Sequence, residues 1–471
     1  MNNNSKNIIR SRDLCFVEEY YLQRSKQYLK PNFQVLATYS IDLTPELIFN
    51  ALSKLLLANL QWSLQVHPKK PSKEEHTYNL ISEYNLNDVL EFTESPDIPL
   101  EELLVSLVNR RYKLSCSKPL WSLIVFNSRT LIFVADHLLG DGTSFANFHL
   151  EFLRFLNDKD SSSTLEYIGS ESTIFRATLS GSDISPKPSD IIDYTPCWYF
   201  LIYVILKLVF PVTNTLYTRL GIANEFQDFS GEKLVVHKSN HTEKLDFHLK
   251  IISIPSDKIQ SLIKITRMHK VKLTSLLIHL CQLSLYPITE NKDVVFIVPT
   301  NIRKCIDEKK AHGLCQDFSS KFGLYMSGIH FELPSVGSAN HKCQFQWKWV
   351  HYIQSILWDQ VPMSHQAMGL IQYINSKAFL EYEAAQPRAS TFEISNLGSF
   401  KIDPTYEIQI MDMTFNQPLG AVGSCFGCNV VGTSNGGVNM CLTTTKGLDH
   451  QTFVKYTEGV EKWINFILEN H

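Results

Sequence analysis

Helix and strand patterns occur in two separate parts of this chain, with a long irregular stretch between them. Residues 1–156 alternate apolar-periodic helices with short apolar strands, and the same mixture returns over residues 245–471. The 471 residues exceed the roughly 250–300 residues beyond which one hydrophobic core stops growing. We therefore expect a mixed α/β (α+β) protein with two domains of comparable size.

The connection between these two parts, residues 157–244, changes character along its length. Residues 157–190 are rich in Ser, Asp, Thr and Pro, which is typical of a linker outside any core. The apolar run Cys197–Val212 follows. It is shorter than the ~20 residues that a membrane-spanning helix needs, and Lys207 and Pro211 interrupt it. A buried helix and a segment that dips into one membrane face both remain open.

Composition excludes several classes of protein and site. The chain has 44 Lys and Arg against 47 Asp and Glu, a net charge of −3, so no overall basic field indicates a nucleic-acid partner. Of its 10 cysteines, only Cys425 and Cys428 form a CxxC, and no second pair completes a zinc site. We expect reduced, mostly buried thiols and, because no paired histidine motif occurs, no metal site.

The N-terminus bears on where the protein resides. It is polar and lacks the apolar core of about 7–15 residues that marks a secretory signal. We therefore expect the protein in the cytosol, or on the cytosolic face of the endoplasmic reticulum or of lipid droplets. Peripheral membrane association through Cys197–Val212 would fit the second location. Separately, we expect a monomer.

One local segment concentrates polar residues at the end of an apolar strand. The strand pattern Leu131–Ala135 leads into Asp136 and His137, and Asp141 and Gly142 come just before a helix. A strand end next to a helix start is a rigid position from which a side chain can point into a cleft. His137 is the natural proton acceptor, because its unperturbed pKa lies near neutrality.

Two structural roles are open to Asp141. It can cap the helix that begins at Thr143, or it can pair with an arginine that fixes the loop. Gly142 permits a tight backbone with positive φ. Spacing alone favours a solvated turn with a helix-capping aspartate, because so short a pattern recurs by chance.

The segment His137-Leu-Leu-Gly-Asp141-Gly142 resembles the His-x-x-x-Asp-Gly active-site motif of the CoA-dependent acyltransferase superfamily. That superfamily includes chloramphenicol acetyltransferase, plant acyltransferases and peptide-synthetase condensation domains. The opening residues resemble those of fungal alcohol acetyltransferases, and further segments follow in the expected order: Glu18–Tyr21 with Arg24, Tyr28, Asn32 and Phe33, then Lys118–Trp121, Val298–Arg303, Phe322–Tyr325, Ser395–Gly398 and Gly436–Asn439. The resemblance covers most of the chain, from Glu18 to Lys446.

The resemblance implies two chloramphenicol-acetyltransferase-like domains that meet along an active-site tunnel. Acyl-CoA would enter from one face and the acceptor from the other, with His137 as the general base and no acyl-enzyme. In the family the motif aspartate is structural and pairs with an arginine, for which we predict Arg303, with Arg111 as the alternative. Ser395 or Asn396 is a candidate donor to the thioester oxyanion.

The same resemblance implies acetyl transfer from acetyl-CoA to a hydrophobic alcohol or amine. One acceptor class is small alcohols such as isoamyl alcohol, which give acetate esters. The other is sphingoid-like amino alcohols, whose N-acetylation would be a detoxification. The run Cys197–Val212 slightly favours the second class, because it suits a lipid-like acceptor.

The sequence departs from the superfamily pattern at two places, and these bear on which branch of the superfamily it resembles. Asp136 replaces a second histidine found in many members, which leaves the base intact. The chain also lacks the Asp-Phe-Gly-Trp-Gly segment of the plant enzymes, which favours the fungal branch. A non-catalytic protein that binds lipid or a partner on the same scaffold is the alternative, and the intact His137, Asp141 and Gly142 weigh against it.

Overall fold

The computed structural model describes residues 10–202 and 245–470, apart from short gaps at 31, 71–74, 94–97, 160–164, 179–182, 291, 338–342, 386–387 and 389. These residues form a mixed α/β protein. A five-stranded sheet and a six-stranded sheet are its two largest sheets.

The first part of the chain builds the helices and strands around the five-stranded sheet. In chain order they are β1 (Ser11–Asp13), α1 (Phe16–Lys26), β2 (Phe33–Tyr39), α2 (Pro45–Ala58), β3 (Leu64–Pro68), β4 (His76–Leu80), β5 (Glu83–Asn85), β6 (Leu90–Phe92), α3 (Leu100–Leu107), β7 (Trp121–Phe126), β8 (Thr130–Ala135), α4 (Gly142–Leu156), β9 (Thr173–Arg176) and α5 (Pro188–Ile191).

The second part repeats the mixture around the six-stranded sheet. Its elements are β10 (Phe247–Ile254), α6 (Ser256–Met268), α7 (Leu273–Thr289), β11 (Val294–Asn301), α8 (Glu308–Leu314), β12 (Met326–Leu333), α9 (Trp347–Gln360), α10 (Ser364–Gly369), α11 (Ser376–Ala385), β13 (Ser390–Phe400), β14 (Ile410–Asn416), β15 (Ser424–Thr433), β16 (Gly437–Thr445) and α12 (His450–Asn470).

Local sequence signals explain where several of these elements begin or turn. The Thr44 side chain accepts a hydrogen bond from the Leu47 amide and so caps α2, and Pro45 occupies the first helical turn. The turn between β7 and β8 passes through Asn127 and Ser128, both at positive φ. Gly437 also has a positive φ, in the hairpin between β15 and β16.

The five-stranded sheet depends on both parts of the chain. Its order is β14-β2-β8-β7-β6, and β8 lies between β2 and β7 in antiparallel register with both. Strand β14 comes from the second part of the chain and pairs with the outer side of β2. The strand that carries the motif histidine at its end, β8, is therefore internal, and every residue of it is buried.

The connection between the two parts corrects one expectation and leaves others untested. Strand β9 pairs with β5, and Ile174 and Phe175 within it are completely buried, so the expectation that residues 157–190 lie outside any core is wrong there. Most of the run Cys197–Val212 lies outside the described residues. The domain boundaries at residues 156 and 245 stay a prediction.

Among the described residues, no single helix is long and apolar enough to cross a membrane. The bent pair Ser256–Met268 and Leu273–Thr289 would be long and apolar enough only if its two helices are taken together.

Candidate active site

The loop after β8 fixes His137 between a strand and a helix. Asp136 caps a short 3₁₀ turn, His137–Leu139, by accepting a hydrogen bond from the Leu138 amide. Its carboxylate also accepts a hydrogen bond from the Ser25 hydroxyl of α1 at 2.7 Å. The strand, turn and helix that the sequence predicts are thus present, and α1 holds the turn from outside.

One nitrogen of His137 is free to accept a proton. The Nδ1 atom lies 2.9 Å from the Gly140 carbonyl oxygen. Because a carbonyl oxygen can only accept, the hydrogen sits on Nδ1, and Nε2 keeps its lone pair. The ring is held between Tyr21 and Phe33, whose centroids lie 4.5 Å and 4.7 Å from its own. The orientation of the imidazole is therefore fixed before any ligand binds.

Burial and nearby cations keep this imidazole neutral. Burial is the main cause that lowers the pKa of His137 to about 3, and the positive charges of Lys30 and Arg24 lower it further. At neutral pH the ring is thus unprotonated and able to accept a proton. A positive charge formed on it would be opposed by the same two cations.

His137 borders two cavities although only 5% of it is exposed. The first cavity, of about 340 Å³, we call the basic chamber after the cationic residues that line it: Arg24, Lys26, Lys30, Arg110, Arg111 and Lys113. The second, of about 80 Å³, we call the polar cleft after Thr143, Thr300, Asn301, Ser395, Asn396 and Gln417. Two ligands could therefore reach the imidazole from separate openings.

Asp141 has both of the structural roles considered from the sequence. It accepts the Ser144 amide at 2.9 Å and so caps α4. Its two oxygens also accept hydrogen bonds from Nη1 and Nη2 of Arg303, at 2.8 Å and 2.9 Å. Arg111 instead lies over the Tyr28 ring, 3.5 Å from its centroid. Arg303 is thus the arginine that pairs with Asp141.

The environment of Asp141 keeps it ionised. Burial pushes the pKa of this carboxyl up, but the Arg303 guanidinium and the hydrogen bonds of Ser144 outweigh burial, so its pKa is lowered. The Tyr325 amide donates a further hydrogen bond to it at 3.0 Å. We call residues 137–142 the motif loop. A buried carboxylate with these partners links the motif loop rigidly to the second part of the chain.

The segment Phe322–Tyr325 completes this link. The Gly323 carbonyl accepts the Asp141 amide at 3.2 Å, and the Gly323 amide donates to the Ser144 hydroxyl at 3.0 Å. Gly323 has a φ of +141°, and a Cβ there would lie 2.6 Å from the Tyr325 ring. Glycine is therefore required for this segment to bind the motif loop.

Gly142 is needed for a different reason from the one expected. It begins α4 without a positive φ, so the left-handed backbone that a glycine permits is not adopted there. A Cβ on Gly142 would lie 2.7 Å from Leu397 and 3.3 Å from Phe33. The missing side chain leaves room for Leu397 to pack against the start of α4 and so brings Ser395–Gly398 to His137.

The two candidate oxyanion donors both line the polar cleft, but they differ in availability. The Asn396 amide donates to the Thr274 hydroxyl at 3.0 Å, and its oxygen accepts the Gly398 amide at 2.8 Å. The Ser395 hydroxyl has no hydrogen-bond partner among the residues that the structure describes. Ser395 is therefore the more available donor.

A largely buried charged pair near the site was not predicted from the sequence. Lys30 Nζ lies 3.6 Å from Glu393 on β13, and Glu393 also accepts the Gln417 amide at 3.2 Å. Burial lowers the pKa of Lys30 to about 8, while Glu393 opposes that shift. Nothing in the local pattern around Lys30 marks it, whereas Tyr21 and Phe33 lie in the opening segment on which the resemblance rests.

The described part of the chain contains no group of three or more His, Cys, Asp or Glu side chains that could hold a metal ion. Cys425 and Cys428 lie on β15 as buried free thiols.

Comparison with known proteins gives the family of this chain. Residues 13–466 match the family model described as alcohol acetyltransferase. The chain belongs to the alcohol acetyltransferase family. A similar curated protein is the uncharacterized protein C18B11.03c of Schizosaccharomyces pombe, 23% identical over 447 residues, which cover 91% of this chain and 90% of that protein.

Solved structures agree with this placement at the level of the fold. The trichothecene 15-O-acetyltransferase TRI3 from Fusarium sporotrichioides has a TM-score of 0.64 at 12% identity, covering 97% of this chain and 94% of that chain. The epimerization domain of tyrocidine synthetase B has a TM-score of 0.57 at 11% identity, covering 99% and 98%. The predicted two-domain fold of the chloramphenicol acetyltransferase type is confirmed.

Membership of the alcohol acetyltransferase family also establishes the general activity. The protein is an acyl-transferring enzyme, and its family uses acyl-CoA as co-substrate.

Proposed function

We propose that this family member transfers an acetyl group from acetyl-CoA to a hydrophobic alcohol or amine, with His137 as the general base. The observation that carries the proposal is the position of His137, whose unprotonated Nε2 belongs to a ring bordered by both the basic chamber and the polar cleft. A thioester entering from one opening and an acceptor from the other would meet at this ring.

The reaction then needs one proton acceptor and no covalent enzyme intermediate. The acceptor oxygen or nitrogen attacks the thioester carbonyl carbon while Nε2 of His137 removes its proton. The C–S bond of the resulting tetrahedral adduct breaks, and the imidazolium returns the proton to the CoA sulfur. The Ser395 hydroxyl is the candidate donor to the oxyanion, because it lines the same cleft as His137.

The position of the motif loop supports the same mechanism. The Asp141 carboxylate is paired with Arg303 and caps the start of α4. It therefore has no part in proton transfer and acts as a positioning residue. Its link with Gly323 and Tyr325 holds the loop against the second part of the chain. His137 is thereby kept between the basic chamber and the polar cleft.

The polar cleft supports a neutral acceptor. Its polar lining consists mainly of hydroxyl and amide groups, and Phe33, Met326 and Leu397 add apolar surface. Such a lining suits an alcohol or an amine in its uncharged form. Both acceptor classes named above therefore remain within the proposal, and the cytosolic location, membrane association and monomeric state stay predictions.

Incubation of the purified protein with labelled acetyl-CoA tests the proposal. Isoamyl alcohol and phytosphingosine are supplied in separate reactions, because an ester and an amide product are easily separated. We expect acetyl transfer to at least one of them. A protein that binds CoA but transfers no acetyl group to these or other alcohols and amines would support the non-catalytic alternative instead.

A further inference from the structure

An ion pair beside the site joins the two parts of the chain. Lys30 lies between α1 and β2, and its Nζ atom is 3.6 Å from a carboxylate oxygen of Glu393 on β13. The two side chains are only 12% and 13% exposed, so solvent screens their attraction less than at the surface. Lys30 lines the basic chamber together with His137. The pair therefore connects the site to the six-stranded sheet.

The backbone at Lys30 is fixed by the loop between β14 and β15. The Leu29 carbonyl accepts a hydrogen bond from the Ala421 amide at 2.7 Å. A Cβ on Gly420 would lie 2.1 Å from the same carbonyl oxygen and 3.0 Å from the Cα atom of Lys30. Glycine at this position lets the loop pack directly on the backbone from which the Lys30 side chain extends.

Glu393 extends the connection to the polar cleft. Its carboxylate accepts a hydrogen bond from the side-chain amide of Gln417 at 3.2 Å, and Gln417 lines the cleft. Phe392 and Ile394 on β13 point into the hydrophobic core. Because side chains alternate along a regular strand, Glu393 and Ser395 share the opposite face. The positions of Glu393 and Ser395 are therefore linked.

The other member of the pair is linked to His137. Three residues after Lys30, Phe33 on β2 packs against the imidazole, with the two ring centroids 4.7 Å apart. The pair thus joins the segment that supports the base to the strand that carries the candidate oxyanion donor. Such a donor is effective only within about 3 Å of the position that the oxyanion occupies.

We propose that Lys30 and Glu393 are positioning residues for acyl transfer, and that their ion pair holds the Ser395 hydroxyl at the distance from His137 that the transition state requires. The inference rests on the proposed function and adds two residues to it. Ser395 donates to the oxyanion, and the pair acts on the reaction through Ser395. Neither member of the pair takes part in proton transfer.

A buried ion pair is an inefficient way to stabilise a fold, which favours a positional role. Burial removes water from both charged groups, and hydrophobic side chains of similar volume often replace such a pair without loss of stability. What an ion pair adds is a fixed separation between two charged groups, because each is unfavourable at this depth without the other. Burial lowers the pKa of Lys30 to about 8, so the ammonium is still mostly protonated at pH 7 and the pair is intact.

Steady-state kinetics of variants of the pair test the proposal, with the acceptor that the labelled acetyl-CoA assay identifies. We expect Glu393→Gln and Lys30→Met each to lower kcat about 10–100-fold, because a displacement of roughly 1 Å can cost 10²-fold. The KM for the acceptor should stay close to wild type, since the oxyanion forms only in the transition state. Lys30→Arg, which keeps the charge, should recover most of kcat. Lys159→Met, at the exposed pair with Glu407, is the matched control and should keep wild-type kcat.

Two further variants separate positioning from stability. In Lys30→Met/Glu393→Met, apolar side chains replace the pair, so Tm should return close to wild type while kcat stays low. Ser395→Ala alone should lower kcat about 10²–10³-fold, the usual effect of losing one oxyanion donor. In that background Glu393→Gln should lower kcat no further, because the two substitutions remove the same interaction.

Three results would overturn the proposal and leave the proposed function intact. They are wild-type kcat in the folded apolar double variant, wild-type kcat in Ser395→Ala, and an undiminished effect of Glu393→Gln in the Ser395→Ala background. Failure of the wild-type protein to transfer an acetyl group to any acceptor is a different result. It would overturn the proposed function, and the role of the pair with it.

Discussion

Substitution of His137 by alanine is expected to lower kcat for acetyl transfer by about 10²–10⁴-fold, the usual contribution of a positioned general base. The reason is that Nε2 of this ring is the proton acceptor between the two openings. The KM for acetyl-CoA should change little, because the substitution removes a proton acceptor that acts in the transition state. Initial rates at saturating acceptor, with thermal unfolding of both proteins, provide the measurement.

A second buried histidine supplies the matched control. His149 on α4 contacts the Tyr39 hydroxyl and the Val35 carbonyl at 3.0 Å each, and it lines neither the basic chamber nor the polar cleft. Burial lowers its pKa to about 4, much as at His137. His149→Ala should therefore lower Tm and leave kcat close to wild type. A folded His137→Ala protein with wild-type kcat would exclude His137 as the base.

Substitution of Arg303 by methionine is expected to destabilise the fold by about 3–5 kcal/mol, because it leaves the Asp141 carboxylate buried without its counter-charge. The two side chains are only 14% and 5% exposed. kcat should fall as well, since the loop that positions His137 loses its tie to the second part of the chain. Urea unfolding and initial rates of the same preparation measure both effects.

The double variant Asp141→Asn/Arg303→Met separates pairing from other effects. Asp141→Asn alone should also lower kcat, through a displaced His137. If the two side chains act as a pair, the losses in the double variant should be smaller than the sum of the single losses. Arg129→Met, at the exposed pair with Asp42, should leave stability close to wild type. Additive losses would show that Arg303 and Asp141 act independently.

The sequence predicts the local part of the site well because the signals there are local. The apolar strand before Asp136 and the helix after Gly142 are set by residues within a few positions of each other. The family resemblance suggested Arg303 as the partner of Asp141, with Arg111 as the alternative. That prediction depended on resemblance, because no local pattern states which distant arginine reaches a carboxylate.

The parts that the sequence did not predict depend on distant contacts. The pattern of β14 marks a strand but not its partner, and only the structure places it against β2. The serine-rich composition around β9 hides the two buried residues Ile174 and Phe175. Gly142 is required because Leu397 packs where its side chain would be, which is a contact between distant parts of the chain.

The basic chamber was missed for a related reason. Its cationic residues come from two separate stretches of sequence, Arg24–Lys30 and Arg110–Lys113, and the folded chain brings them to one cavity. A net charge summed over the whole chain averages such a concentration with acidic residues elsewhere. Charge patterning is therefore informative for this protein only once the fold has brought those two stretches to one cavity.

The central claim is that acetyl-CoA and the acceptor are bound together at His137, each from its own opening. Initial rates measured while both concentrations are varied test this most directly. The account predicts that double-reciprocal plots against acetyl-CoA, at several acceptor concentrations, give lines that intersect, as for a ternary complex. Parallel lines, together with an acetylated protein formed from acetyl-CoA alone, would contradict direct transfer.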